Sequence, residues 1–266
     1  MLGIGTTTIK LGSGKVSGDP YTDLARSFFL RVQANGYTMA TEEKNYYNDN
    51  FFVVAEGNGL SSHIDRLHIY SSYNAVIART SLFGNYFAVP IGSPVFTAKS
   101  GYTMGAAKAI NTNFNASIGG LKGTLNSNSF GTRQDGTVSN DFYLMGGGDG
   151  VSLNALTVNA SNGMMDGYFN SNNHSTSAPI YTLGDNKYSG KRTSATSITY
   201  RSNSATSTTI AASTSIPNVV QYDGAFNNNG TIVDAHASTL RYGYHGDAAL
   251  DITVLQTLLD SFILAM

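Results

Sequence analysis

The stretch that decides the fold spans residues 141–170 and reads DFYLMGGGDGVSLNALTVNASNGMMDGYFN. Three runs rich in aromatic and branched side chains are separated by an Asp-Gly pair at 149–150 and an Asn-Gly pair at 162–163. Such pairs favour tight hairpin turns because both residues tolerate a positive φ. The stretch therefore predicts three consecutive antiparallel strands.

The same alternation of short strand-like runs and turn residues continues on both sides of this stretch. Strands separated by about 8–12 residues, with turn signals between them, are typical of β-sandwiches and jelly rolls. We therefore predict a mainly β protein with an antiparallel sandwich. The predicted strands are 86–89, 109–114, 129–133, 141–145, 151–158, 164–170, 179–183, 197–201, 206–211, 218–222 and 240–244.

A local repeat supports this prediction. Residues 194–200 read SATSITY, and residues 204–210 read SATSTTI. Thr and Ile favour strands, so the two copies predict a hairpin that turns at residues 201–203. A flexible Ser/Thr linker is the alternative interpretation.

Two helices are predicted before the strands. The first has Asp19 as N-cap and Pro20 in its first turn, and it ends near Gly36. The second has Thr41 as N-cap and two glutamates in its first turn, and it ends near Gly57. Together they predict a small helical hairpin packed on the sandwich. A short alternating strand is predicted after them, at 67–70.

The chain closes with a third predicted helix, capped by Asp251. Its broad apolar stripe must be covered, either by the sandwich, which we favour, or by a second copy. The predicted organisation is an arm at 1–19, a helical lead-in at 20–80, and a sandwich with its closing helix at 81–266.

Composition excludes several function classes. The net charge is -1, only 12% of residues are charged, and no basic cluster occurs, so we predict no nucleic-acid partner. The absence of cysteine excludes thiolate metal sites and disulfides. No run of 18 apolar residues occurs, so we predict no membrane span.

The pattern of acidic residues argues against catalysis. All three glutamates lie between residues 42 and 56, so a glycosidase would have to use aspartates. Asp141, Asp149 and Asp166 are scattered near turn signals, which favours turn capping over an aspartate-based glycosidase. No histidine pair has helical metal-site spacing, and we predict neither a metal nor another cofactor.

Surface character leaves a carbohydrate-binding module as an alternative function. Tyr143, Tyr168, Tyr181, Tyr200 and Tyr222 are amphipathic aromatics that could stack on sugar rings.

The glycine-rich loop at 146–150 could present backbone amides and the Asp149 carboxylate to a cation, although a simple turn is favoured. The candidate ligand-binding residues are Asp149, Tyr168 and His174.

Several strings resemble structural proteins of tailed phages that infect Bacteroidetes, including crAss-like phages. Residues 21–36 (YTDLARSFFLRVQANG) and 59–67 (GLSSHIDRL) are similar to their helical lead-in. Residues 101–103 (GYT) and 109–114 (AINTNF) are similar to the entry of their concanavalin A-like jelly roll, and the capped helix after Asp251 also fits.

This resemblance implies a non-enzymatic virion component, such as a tail or head fibre, assembled in the host cytoplasm. It implies other copies of the chain as partners, commonly in a trimer, and other virion proteins bound through the arm. A host-surface glycan is a further implied partner. The glutamate motif of glucanases in the wider superfamily is missing here, so the resemblance implies no catalysis.

Overall fold

The computed structural model describes residues 19–118, 121–136, 142–159, 161–182, 186–235 and 237–266. Two β-sheets lie face to face, and a layer of helices covers part of the outer side of one of them. The predicted arm lies outside the described residues, apart from Asp19.

The helices are α1 Asp23–Ala34, α2 Thr41–Tyr47, α3 Val53–Gly57, α4 Ala75–Arg79 and α5 Ile252–Leu264. A π-helical segment, Asn48–Phe52, joins α2 to α3, and a 3-10 turn, Leu60–Ser62, follows α3. The strands are β1 Ile64–Ile69, β2 Val89–Ile91, β3 Val95–Thr97, β4 Gly101–Thr103, β5 Ala109–Asn115, β6 Asn128–Asp135, β7 Phe142–Gly148, β8 Leu153–Asn159, β9 Met164–Ser171, β10 Ser175–Thr176, β11 Lys187–Arg192, β12 Ser197–Ser202, β13 Ala205–Ile210, β14 Val220–Asp223, β15 Phe226–Asn228, β16 Thr231–Val233 and β17 Thr239–Gly246.

The first sheet has the order β13-β12-β11-β6-β17-β4-β3, and β1 also pairs with β17. The second has the order β10-β9-β8-β7-β14-β5-β2, extended by β15 and β16. Apart from the parallel pairing of β15 with β7, the named pairings of the described strands are antiparallel. The predicted antiparallel β-sandwich, with a helical hairpin before it and a helix after it, is confirmed.

The predicted helix caps need two corrections. Thr22, and not Asp19, caps α1, because its hydroxyl accepts a hydrogen bond from the third helical amide at 3.2 Å. The Asp19 carboxylate is instead engaged by an amide two residues further along the chain. In α2, Thr41 is the first helical residue, and Glu43 accepts a hydrogen bond from the Ala40 amide.

Most predicted strands are present, including the repeat hairpin, which forms β12 and β13. The predicted strand at 179–183 is wrong over its described residues, because the amides of Ile180 and Tyr181 both donate to the Gly163 carbonyl. The short strand predicted at 67–70, within the helical lead-in, is present as β1, which pairs with β17 of the first sheet.

Strand β11 was not predicted, because its sequence KYSGKR is polar. Gly190 faces the core there and leaves room for a ring, since a Cβ on it would lie 1.8 Å from the Phe169 ring.

The helices pack on the first sheet through aromatic and aliphatic side chains. Phe28, Phe52 and Phe262 are buried between the helices and the sheet. The apolar stripe of α5 is covered within the chain, as predicted, because Leu255 and Leu259 are fully buried in the same cluster. The outer face of the second sheet carries no helix in the described part of the molecule, so its side chains face outward.

Candidate ligand-binding surface

Alternation along three neighbouring strands brings two tyrosines to one face of the second sheet. Tyr143 on β7 lies opposite Thr157 on β8, and Ala155 on β8 lies opposite Tyr168 on β9. Neighbouring residues on these strands, such as Leu156, point into the core between the sheets. Because side chains alternate, Tyr143 and Tyr168 both point outward.

Two further rings complete this surface. The ring of Phe226 stacks on Tyr143 with centroids 4.6 Å apart, and the ring of His174 lies 5.2 Å from Tyr168. Tyr143 and Tyr168 are half-buried, and His174 is exposed. We call these four residues the aromatic face. Tyr143, Tyr168 and His174 are accessible to a ligand, whereas Phe226 is buried and only supports the Tyr143 ring.

The phenol of Tyr143 is affected by nearby titratable groups. Burial raises the pKa of its phenol, and the adjacent Tyr168 and Asp234 raise that pKa further. The phenol of Tyr143 therefore lies close to a second phenol and to an exposed carboxylate. This arrangement combines apolar ring surfaces with hydrogen-bonding groups.

Asp166 lies on the same side of the sheet as the aromatic face. It pairs with Thr157 on β8 and with Thr176 on β10. The prediction that it caps a turn is wrong, because it lies within strand β9. Its Oδ1 atom is buried, and no hydrogen-bond partner for it lies within the described residues, so this oxygen is closed to a ligand at the surface.

The structure separates Asp149 from the other two candidate residues. Asp149 lies in the β7–β8 turn, where its Oδ1 accepts hydrogen bonds from the amides of Val151 and Ser152 at 3.0 Å. Its Oδ2 accepts one from the Asn218 amide at 2.8 Å. Burial raises the pKa of this carboxyl, but the amide hydrogen bonds outweigh burial and leave the pKa lowered. The turn-capping interpretation is confirmed for Asp149.

Only some of the tyrosines proposed from the sequence are on this surface. Tyr200 is fully buried between the sheets, and Tyr181 is buried in the same cluster. Tyr222 points outward but is buried beside Ile232 of β16. The interpretation of these three as sugar contacts is therefore wrong. Sequence reasoning also missed Phe226, although the Asp-Gly pair at 223–224 marks the turn that precedes it.

Asp141, the remaining aspartate considered for catalysis, lies outside the described residues.

The most concentrated group of titratable side chains is sealed inside the sandwich. Arg66 donates two hydrogen bonds to the Asp223 carboxylate, at 2.7 and 2.8 Å, and Tyr70 donates a third at 2.7 Å. Burial lowers the pKa of Arg66, but the Asp223 carboxylate more than compensates and raises it. All three side chains are fully buried, so they are closed to a ligand at the surface.

Two absences concern the described residues. No group of three or more His, Asp or Glu side chains there is placed to hold a metal ion. No helix among them has the length and apolar character needed to cross a membrane.

The fold has distant structural similarities. Domain 4 of AbnA, a GH43 extracellular arabinanase from Geobacillus stearothermophilus in complex with arabinotriose, is 10% identical with a TM-score of 0.49, over 74% of this chain and 98% of that one. A Trypanosoma rangeli sialidase mutant with trans-sialidase activity is 11% identical with a TM-score of 0.46, over 84% and 38%. Domains LG4-5 of the mouse laminin alpha1 chain are 15% identical with a TM-score of 0.32, over 47% and 35%. No protein-family model and no curated protein sequence matches this chain.

Proposed function

We propose that this protein is a non-catalytic carbohydrate-binding module whose aromatic face binds a glycan. The observation that carries the proposal is the placement of Tyr143 and Tyr168 on one outward face of a sheet, with the exposed ring of His174 beside Tyr168.

The chemistry of this face suits a sugar. Tyrosine rings offer apolar faces on which the C–H surface of a pyranose can lie, and their hydroxyls reach hydroxyl groups at the rim. The sheet holds these groups in place, so little ordering is required on binding.

Binding without hydrolysis is part of the proposal. Asp149 is fully engaged by backbone amides, and Asp223 is sealed in an ion pair. Asp166 and Asp234 are the carboxylates placed near the aromatic face in the described structure. We expect the unchanged protein to release no reducing sugars from any member of a polysaccharide panel. Release that Asp166→Asn or Asp234→Asn abolishes would show that the substituted carboxylate is catalytic.

The test is a glycan array followed by calorimetry on the strongest neutral glycan. We expect Tyr168→Ala to weaken binding about tenfold or more, because it removes a stacking surface. The matched control is Tyr37→Ala, which removes a half-buried tyrosine from the helical hairpin and should leave affinity unchanged. Absence of any glycan above background, or equal losses in both variants, would contradict the proposal.

We also propose that the module is displayed on a phage particle, as the resemblance of residues 21–36, 59–67, 101–103 and 109–114 implies. The placement of the helices supports this proposal. They pack on the first sheet, while the aromatic face on the second sheet points outward. Mass spectrometry of purified particles tests this role, and absence of the protein from them would contradict it. Light scattering during gel filtration tests the trimer, which a strictly monomeric profile would contradict.

A further inference from the structure

A second recess lies on the opposite side of the sandwich from the aromatic face. It is a groove of about 350 Å³ between strands β11–β13 and the chain that leads into α5. Its floor is formed by polar side chains of the strands, and its wall is formed by residues 249–253. The helices that cover part of this sheet leave the groove open.

Strand alternation gathers the polar residues of the floor. Lys191 lies opposite Thr199, and Arg201 lies opposite both Ser189 and Thr206. Their neighbours Tyr188, Ile198 and Tyr200 point into the core, so these five side chains share the outward face. Two cationic groups therefore project beside the hydroxyl groups of Thr199 and Thr206, whereas the Ser189 hydroxyl is fully buried.

The cations of the groove differ from those next to it. Arg133 and Lys187 both form ion pairs with Asp260 of α5, at 2.8 and 2.9 Å. Within the described residues, Lys191 and Arg201 have no such carboxylate partner.

Neutral oxygens hold the two cations in place. The Lys191 Nζ donates to the Leu250 carbonyl at 3.3 Å, and Arg201 donates to the Asn203 carbonyl at 2.7 Å and to the Thr253 hydroxyl at 2.6 Å. Asp251 lines the wall, but its Oδ1 accepts the first amides of its own helix. Two cations against this one carboxylate leave the groove lining with a net positive charge.

We propose that this groove binds an acidic saccharide, one that carries carboxylate or sulfate groups. The anionic group would lie between Lys191 and Arg201, where charge-assisted hydrogen bonds are stronger than neutral ones. Ring hydroxyls would bond to Thr199 and Thr206. The described lining holds no aromatic ring, so selection here depends on charge, whereas the aromatic face selects by stacking.

The test uses the full chain and three probes: an oligogalacturonide for the carboxylate, a sulfated dextran oligomer for the sulfate, and neutral dextran. We expect calorimetry to detect one or both acidic probes, with binding weakened by added salt. The double variant Lys191→Gln/Arg201→Gln should lose about tenfold or more in affinity for the acidic probe. Which acidic probe binds distinguishes a carboxylate ligand from a sulfate ligand.

Two controls separate this site from bulk charge and from the aromatic face. Lys44→Gln/Lys108→Gln removes the same charge elsewhere and should keep the affinity, and so should Tyr168→Ala. The melting temperature of each variant confirms folding. Failure of both acidic probes to bind, equal loss in the charge-matched control, or loss in Tyr168→Ala would overturn the proposal. Binding of neutral glycans to the aromatic face is measured in a separate experiment. The absence of neutral-glycan binding would therefore contradict the proposed function without deciding whether the groove binds an acidic saccharide.

Discussion

Arg66 and Asp223 lie 157 residues apart in the chain and form a two-point ion pair between the sheets, with both side chains fully buried. The pair links β1 of the first sheet to β14 of the second. It therefore fixes how the two sheets face each other at this end of the sandwich.

Removing one partner of this ion pair should strongly destabilise the folded protein. Asp223→Ala leaves the guanidinium of Arg66 and the hydroxyl of Tyr70 without their acceptor, and we expect a loss of about 3–5 kcal/mol in the free energy of unfolding. Urea denaturation measures it. The double variant Arg66→Met/Asp223→Leu should lose less, because no buried charge remains. A double variant that is less stable than the single one would contradict this account.

The free energy of unfolding should decrease as the pH is lowered, because two histidines are buried. Burial, and then the charge of Arg66, holds the pKa of His68 well below its usual value. Burial also lowers the pKa of His245, although Asp65 partly offsets it. Below the unfolded pKa of about 6.5, the unfolded chain takes up protons that the folded chain does not, so each histidine costs up to about 1.4 kcal/mol per pH unit.

Urea denaturation at several values between pH 7.5 and pH 5 measures this slope. His68→Asn should flatten it, and His174→Gln, which changes an exposed histidine, should leave it unchanged. A slope equal in all three proteins would contradict the assignment.

Asp149 should matter for stability and not for glycan binding. Asp149→Ala removes the acceptor of three backbone amides, and we expect a loss of about 1–3 kcal/mol in the free energy of unfolding. Its affinity for a glycan on the aromatic face should equal that of the unchanged protein. A tenfold loss of affinity in a folded Asp149→Ala variant would place the residue in the binding site.

Gly190 tests the packing between the sheets. A methyl group there would overlap the Phe169 ring, so we expect Gly190→Ala to lower the free energy of unfolding by about 1–3 kcal/mol or more. Gly57→Ala is the matched control, because nothing lies within 4 Å of the added Cβ and Ala favours the helix. Thermal unfolding compares the two, and equal melting temperatures would contradict the packing argument.

The sequence alone predicted the elements whose signals are local. The Asp-Gly and Asn-Gly pairs predicted the β7–β8 and β8–β9 hairpins, the SATS repeat predicted β12–β13, and Asp251 predicted the cap of α5. These predictions succeeded because each depends on the conformational preference of a few neighbouring residues. The prediction of the α1 cap was wrong although its signal is also local. Thr22 and Asp19 are both good caps, and only hydrogen-bond geometry distinguishes them.

The candidate site depended on tertiary structure. Tyr168 and Tyr200 are the same residue type on similar strands, yet one is half-exposed on an outer face and the other is fully buried. Strand alternation shows that neighbours point to opposite sides, but it does not show which side meets the other sheet. That choice follows from pairings between distant segments, such as β11 with β6 and β15 with β7. Those pairings placed Phe226 on Tyr143 and left Lys191 and Arg201 facing an open groove.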